Sequence, residues 1–282
     1  MRGWTFAAAA DVRPQELHEA FGAAFSDYLA GPFRIGLHQW PQFLARQGVD
    51  LVRSRVALRR SRVLAFALAA PRADIAHWRL ASMGALPQAR GTGAAPALLD
   101  DFIARAGAAG MAGVELECFE QNERALRLYR GRGFEPLHAL YGYTRDGEAL
   151  PKAGADDDHA ISLDDACQWI DAFSRDHHDL PFQITSPALR ALPQQLRAWR
   201  HGTAQVVVSQ AVAGTLNVQS LIDSRPRQDD AAALVAAVLA RHRPHRMNVP
   251  QLQRLDLGGL ALERLGFERQ ALNQLLLRRS SD

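Results

Sequence analysis

Residues 75–110 read IAHWRLASMGALPQARGTGAAPALLDDFIARAGAAG. A run of strand formers ends near Leu86, glycines follow at Gly91 and Gly93, and an apolar run of helical spacing starts behind them. Glycine is costly inside a helix and brings no side chain to a core. A pair at a helix start therefore has another use. The first amides of a helix lack intrahelical partners and carry partial positive charge. A turn without side chains lets a phosphate approach and collect them. Gln88, Ala89 and Arg90 lead into this turn, Thr92 separates its glycines, and Ala94 opens the helix. Pro96 falls where a missing N–H costs least. Taken alone, Gly-Thr-Gly fits an ordinary tight turn equally well. It lacks the third glycine of a dinucleotide fingerprint and the Gly-Lys-Ser/Thr of a P-loop.

The flanking pattern sets the fold class. Apolar spacing predicts a strand at 4–10, a helix at 13–29, a short helix near 37–48 and strands at 50–59, 62–70 and 75–85. A helix to about 110, a strand at 113–119, a helix at 122–132 and a strand at 134–145 follow. Such alternation predicts an α/β (α+β) fold with a mixed sheet flanked by helices. The stretch DGEALPKAGADDDH is polar and aperiodic, so residues 148–159 read as a linker between domains at 1–147 and 160–282. Its Asp156–Asp158 and His159 read as solvated rather than as a metal site, since no second ligand cluster has metal spacing. Beyond it, LDDACQWIDAFSRD reads as a helix, AQVVVSQAVAGTLNVQSLID as a strand pair and QDDAAALVAAVLARH as a helix. Gly133-Phe134-Glu135 recurs as Gly266-Phe267-Glu268, 133 positions on, each behind a helical run and before a strand-like one. A repeat of that size predicts a duplicated domain.

Composition excludes several classes. The 282 residues are 48% hydrophobic and 22% charged, enough for a sizeable core. A net charge of +3, without a basic face interleaved with aromatics, argues against a nucleic-acid partner. No segment approaches the roughly 20 apolar residues of a membrane span. Cys118 and Cys167 make no disulfide framework, so the sequence predicts a cytoplasmic protein with no membrane partner.

The pattern Gln88-x-x-Gly91-x-Gly93 follows a strand and opens a helix, and LECFEQNERALRLYRGRGFE comes about thirty residues later. Together they resemble the GNAT superfamily of acyl-CoA-dependent N-acetyltransferases, across about 3–145 and most strictly across 83–135. The resemblance implies a strongly twisted sheet, acetyl-CoA as co-substrate, no metal, and an amine acceptor on a small molecule or peptide. It implies that the coenzyme A diphosphate lies on Gln88, Ala89, Arg90, Gly91, Thr92, Gly93 and Ala94. Met83, Ala85 and Leu86 would hold the pantetheine arm and acetyl carbonyl, with Asn122 near that arm and capping its helix. Tyr129 matches the acid that protonates the leaving thiolate, and Glu117 the carboxylate that serves as base in some members. On a strand Glu115 and Glu117 share a face and would raise each other's pKa. His77 and Arg79 share a polar face, and His77 is an alternative base. Cys118 reads as core. At the offset of 133, Tyr129 corresponds to Leu262, Asn122 to Leu255 and Glu117 to Pro250, and no glycine pair precedes the helix near 228–242. The second domain therefore reads as a degenerate copy. The competing class is a non-catalytic acyl-CoA-binding module, which needs neither Tyr129 nor Glu117.

Overall fold

The computed structural model describes residues 3–147, 160–210 and 214–281. The linker read at 148–159, with its acidic triplet and His159, lies outside the described residues. The chain divides into two compact units. One comprises the described residues up to Cys118 together with 122–137 and the last stretch from Leu276; the other comprises 119–121 and the described residues from His138 to Leu275.

The first unit starts with β1 (Thr5–Ala8), α1 (Pro14–Ala24) and α2 (Trp40–Arg46). Then come β2 (Asp50–Arg59), β3 (Arg62–Arg72), β4 (His77–Ala85), α3 (Ala94–Ala108), β5 (Gly113–Phe119) and α4 (Glu123–Arg130). Strands β1 to β4 are antiparallel neighbours in sequence order. β5 lies parallel to β4, as a right-handed crossover through α3 allows. Helix α3 packs on β2, β3 and β4 through Leu98, Leu99, Phe102 and Ala106, one apolar stripe of helical spacing. Phe21 of α1, Trp40 of α2 and Phe66 of β3 are buried in one core, with Phe21 stacked on Phe66 at 5.2 Å between centroids.

The second unit holds most of β6 (Glu135–Asp146), then β7 (Ala160–Ile161), α5 (Leu163–Ser174), α6 (Ser186–Arg190), β8 (Leu196–His201) and β9 (Ala204–Gln210). β10 (Thr215–Ile222), α7 (Asp229–His242), β11 (Arg246–Arg254), α8 (Gly259–Arg264) and β12 (Glu268–Ser280) complete the chain. Here too three antiparallel pairings, β7–β8, β8–β9 and β9–β10, precede a parallel one, β10–β11. The order strand, helices, three strands, helix, strand, helix, strand thus occurs twice. Gly133 and Gly266 both take positive φ, +80° and +77°, behind α4 and α8, and both following strands begin two residues later.

The last strand departs from the sequence boundaries. Its closing residues, from Leu276 on, group with the first unit, where β12 neighbours β5 and Ser281 N donates to Ala112 O at 2.9 Å. The division by contacts therefore does not fall at one point along the chain. Locally, the helix expected to 29 ends at Ala24, and a turn closes at Gly31, whose φ is +96°. β7, α6, β8 and β11 are absent from the sequence reading. β11 contains Pro250, which lies where the pairing with β6 shifts register between Val249 and Gln253; proline is tolerated in strands at such irregularities. No helix among the described residues is long and apolar enough to cross a membrane.

Candidate functional site

Strands β4 and β5 pair only briefly. The parallel register runs His77–Gly113, Trp78–Val114, Arg79–Glu115, with no pair beyond it among the described residues. Past Arg79 the two strands have separated, and the residues expected to form the site lie on their diverging halves. Leu86 N donates to Leu64 O of β3 at 2.8 Å. Because strand amides alternate in direction, those of Met83 and Ala85 point to the opposite edge of β4, the side from which β5 has withdrawn. Met83 and Ala85 thus offer amides to that edge; Leu86 does not.

The turn after β4 has the shape its glycines require. Gly91 and Gly93 adopt φ of +80° and +81°, a left-handed conformation costly for other residues, and a Cβ on either would meet nothing within 4 Å. Gly93 is the residue preceding α3. Several amides expected to face a diphosphate are occupied. Ala89 N donates to Leu86 O, Arg90 N to Pro87 O and Thr92 N to Ala89 O. Thr92 Oγ1 donates to Ala89 O at 2.7 Å and accepts a long contact from Ala94 N at 3.4 Å. The amides of Gly91, Gly93 and Ala95 have no carbonyl partner among the described residues. Pro96 has no N–H to leave unpaired. Gln88 is exposed at the rim. Arg90 is not directed outward: both Nη atoms bond the carboxylate of Asp27, each at 2.6 Å, and that hydrogen bond holds Asp27 below the usual carboxylate range.

Asn122 caps α4 by accepting from Ala125 N at 3.2 Å. Tyr129 is buried two turns further on, with its ring against Phe134 at 5.9 Å. Burial raises its hydroxyl above the ordinary phenol range, and the neighbouring Cys118 and Tyr28 add to the effect. Cys118 is likewise buried, its thiol pushed up to about 12 by loss of solvent. Tyr28, absent from the sequence reading, is a further group whose hydroxyl is pushed up to about 12 by burial.

The acidic face of β5 is arranged differently from expectation. Glu115 and Glu117 do share a face, but neither faces the other unscreened. Arg72 Nη1 and Arg278 Nη2 reach Glu115 at 2.8 and 2.9 Å, and Glu115 is fully buried. Arg79 takes both oxygens of Glu117, with Nε–Oε1 at 3.1 Å and Nε–Oε2 at 2.8 Å. Guanidinium donors fill the lone pairs that a base would use. Arg79 Nη1 also donates to Gln47 O at 3.1 Å, so the pair ties the diverging strands to the end of α2. His77 sits at the opposite end of the β4–β5 ladder, where its Nδ1 contacts Ile75 O at 2.6 Å. No group of three or more metal-ligating side chains occurs among the described residues.

In the second unit the start of α7 is closed by the chain itself. Asp223, fully buried, accepts from Ala231 N and Arg225 N at 3.0 Å each and from Thr203 Oγ1 at 3.0 Å.

A mixed sheet whose parallel central strands part beside a glycine-opened helix is a GNAT type of fold. Residues 15–134 match the model of the Acetyltransferase (GNAT) family. Among solved structures, a GCN5-related N-acetyltransferase from Anabaena variabilis is similar over 98% of this chain and 72% of its own, with a TM-score of 0.67 and 15% identity. One from Sphaerobacter thermophilus is similar over 99% of this chain and 96% of its own, with a TM-score of 0.62 and 12% identity. At such identities the likeness is one of fold. No curated protein matches the sequence.

Proposed function

We propose that the chain is an acetyl-CoA-dependent N-acetyltransferase with one working acyl-transfer centre, in the first unit, acting on a primary amine of a small molecule or peptide. One observation carries this reading: the positive-φ glycines leave the Gly91, Gly93 and Ala95 amides unpaired at the start of a 15-residue helix, beside strands that have parted. Unpaired donors at a helix N-terminus suit a diphosphate. Acetyl-CoA, when bound, supplies the acetyl group as a thioester. Gly91, Gly93 and Ala95 hold its diphosphate, and the outward amides of Met83 and Ala85 hold its arm and polarise the acyl carbonyl. Tyr129 keeps its proton because burial disfavours the phenolate, so it is available to the departing sulfur.

Glu117 has a different task from proton abstraction. With Arg79 on both its oxygens, it fixes the splay of β4 and β5. The acceptor amine then loses its proton to solvent, and turnover should rise with pH along the acceptor's own ionisation. The second unit repeats the element order but not the site. One amide of its α7, Ala231 N, is met by Asp223, an anion built into the fold, and Leu262 stands where the first unit has Tyr129. Duplication followed by loss of the cofactor turn accounts for both features. Calorimetric titration with coenzyme A should find one site per chain. Two sites would remove the distinction between the units, and none would remove the reading. A binding-only module would bind equally well yet release no thiol from acetyl-CoA with any amine.

A further inference from the structure

Five arginines lie between residues 53 and 62, and two of them are engaged with their own strand. Arg53 bonds the Asp50 carboxylate, and Arg55 Nη1 donates to the carbonyls of Val52 and Ser54 at 3.1 and 3.2 Å. Arg59, Arg60 and Arg62 differ. All three are exposed at the tip of the β2–β3 hairpin, and their side chains have no hydrogen-bond or ion-pair partner among the described residues.

This tip is built against local preference twice over. Arg59 and Arg62 are paired directly across the ladder, and like charges so placed repel. Between them Arg60 and Ser61 take φ of +50° and +60°. Positive φ at both residues of a two-residue hairpin loop makes a type I′ turn, which favours Asn-Gly because other side chains are strained there. Neither feature serves the core, since every residue from 59 to 62 is exposed. Backbone strain of this kind clusters where a chain clamps a ligand. An anion held between Arg59 and Arg62 replaces their repulsion with a shared attraction, and planar guanidinium forks match phosphate oxygens two at a time.

The neighbouring edge strand narrows the kind of anion. The register Thr5–Leu58, Phe6–Ala57 brings Trp4 level with Arg59, and a Cβ on Gly3 would stand 4.0 Å from Arg59 Nε. Trp4 and Phe6 are half-buried and stacked, with 5.0 Å between ring centroids. An aromatic platform beside unpaired guanidiniums suits bases linked by phosphates. An acidic peptide would meet the guanidiniums and leave the platform idle. The net charge of +3 is a sum over the whole chain and hides this grouping. We propose that the β2–β3 hairpin tip binds single-stranded nucleic acid, with Arg59, Arg60 and Arg62 on its phosphates and Trp4 against a base. The site is distinct from the acyl-CoA turn and stands whether or not that reading holds.

The test uses the full chain and a labelled oligothymidylate of about 20 nucleotides, read by fluorescence anisotropy from about 50 to 200 mM salt. Each phosphate contact on a single strand contributes about −0.7 to the slope of log K against log salt, so three give about −2. Arg60→Gln should flatten that slope by about 0.7. Arg62→Glu sets an opposite charge across from Arg59. It should weaken binding about ten-fold or more while the melting temperature holds or rises, an opposition that a structural role for Arg62 would not produce. Trp4→Leu should weaken binding about ten-fold with the salt slope unchanged, because stacking releases no counterions. Arg127→Met removes an exposed charge elsewhere and should change neither affinity nor slope. Saturating coenzyme A should leave the oligonucleotide bound. The proposal is overturned by no binding at about 50 mM salt, by binding that Arg62→Glu leaves intact, by displacement with coenzyme A, or by equal affinity for an aspartate-rich peptide.

Discussion

Replacing Gly91 with alanine separates backbone strain from ligand exclusion. Gly91 has φ of +80°, and a Cβ there meets nothing within 4 Å, so the fold offers no steric objection. What remains is the cost of a left-handed L-residue, about 1–2 kcal/mol. Strain is present with and without ligand, so it falls on stability and cancels from binding. In a chain of two units this corresponds to a drop of about 2–8 °C in the melting of the first unit. Affinity should change for another reason. The open space around that Cβ is the approach to the Gly91 and Gly93 amides, and a methyl group there holds a diphosphate off. Hydrogen bonds to charged groups contribute about 1.5–3 kcal/mol each. Losing one of them raises the coenzyme A Kd by about 10- to 10²-fold. Calorimetry on protein that still melts cooperatively gives the answer. An undiminished affinity alongside the melting loss would show that the turn is merely a turn.

Other perturbations test the remaining parts. Tyr129→Phe should retain coenzyme A binding and lose about 10² in turnover, measured by thiol release under conditions where chemistry limits the rate. Because burial raises the Tyr129 hydroxyl, no alkaline fall assignable to it should appear below about pH 10, the ordinary tyrosine value. Arg278→Met removes a 2.9 Å charge-assisted bond to fully buried Glu115, which keeps only Arg72; a loss of about 2–3 kcal/mol is expected in denaturant unfolding. Arg127→Met, in a pair 71% and 82% exposed, is the control and should change stability by less than about 0.5 kcal/mol. Asp223→Ala should destabilise the second unit by orphaning the Ala231 and Arg225 amides, without creating a second coenzyme A site by titration.

What the sequence made legible was local. The spans of β2 and β5 follow from residue type alone, as does the helix behind Gly93, because glycine, proline and apolar periodicity act over a few positions. The repeat at Gly133 and Gly266 was equally readable, since each is a helix-ending residue at positive φ. The site was legible only in part. Alternation along β5 correctly puts Glu115 and Glu117 on one face, yet nothing near them announces Arg72 and Arg278, 43 residues before and 163 after Glu115. Arg90 looks like a ligand for phosphate until Asp27, 63 residues away, is seen to hold it. Tyr28 had no signal at all, because its burial is set by segments far from it in the sequence. Long-range pairing of side chains is set by the tertiary fold, which local patterns specify only indirectly.

The membership of the last residues has a consequence for how the protein comes into being. The stretch from Leu276 belongs with the first unit, where it neighbours β5 and delivers Arg278 to Glu115. A ribosome releases the chain from the other end. At about 5–20 residues per second, the first unit's other strands wait roughly 10–30 s for the one that completes them. During that interval the β5 edge is open and Glu115 lacks one of its two guanidinium partners. A nascent first unit is therefore a natural client for chaperones that shield strand edges, and a chain cut before Leu276 would leave that unit without the segment that carries Arg278.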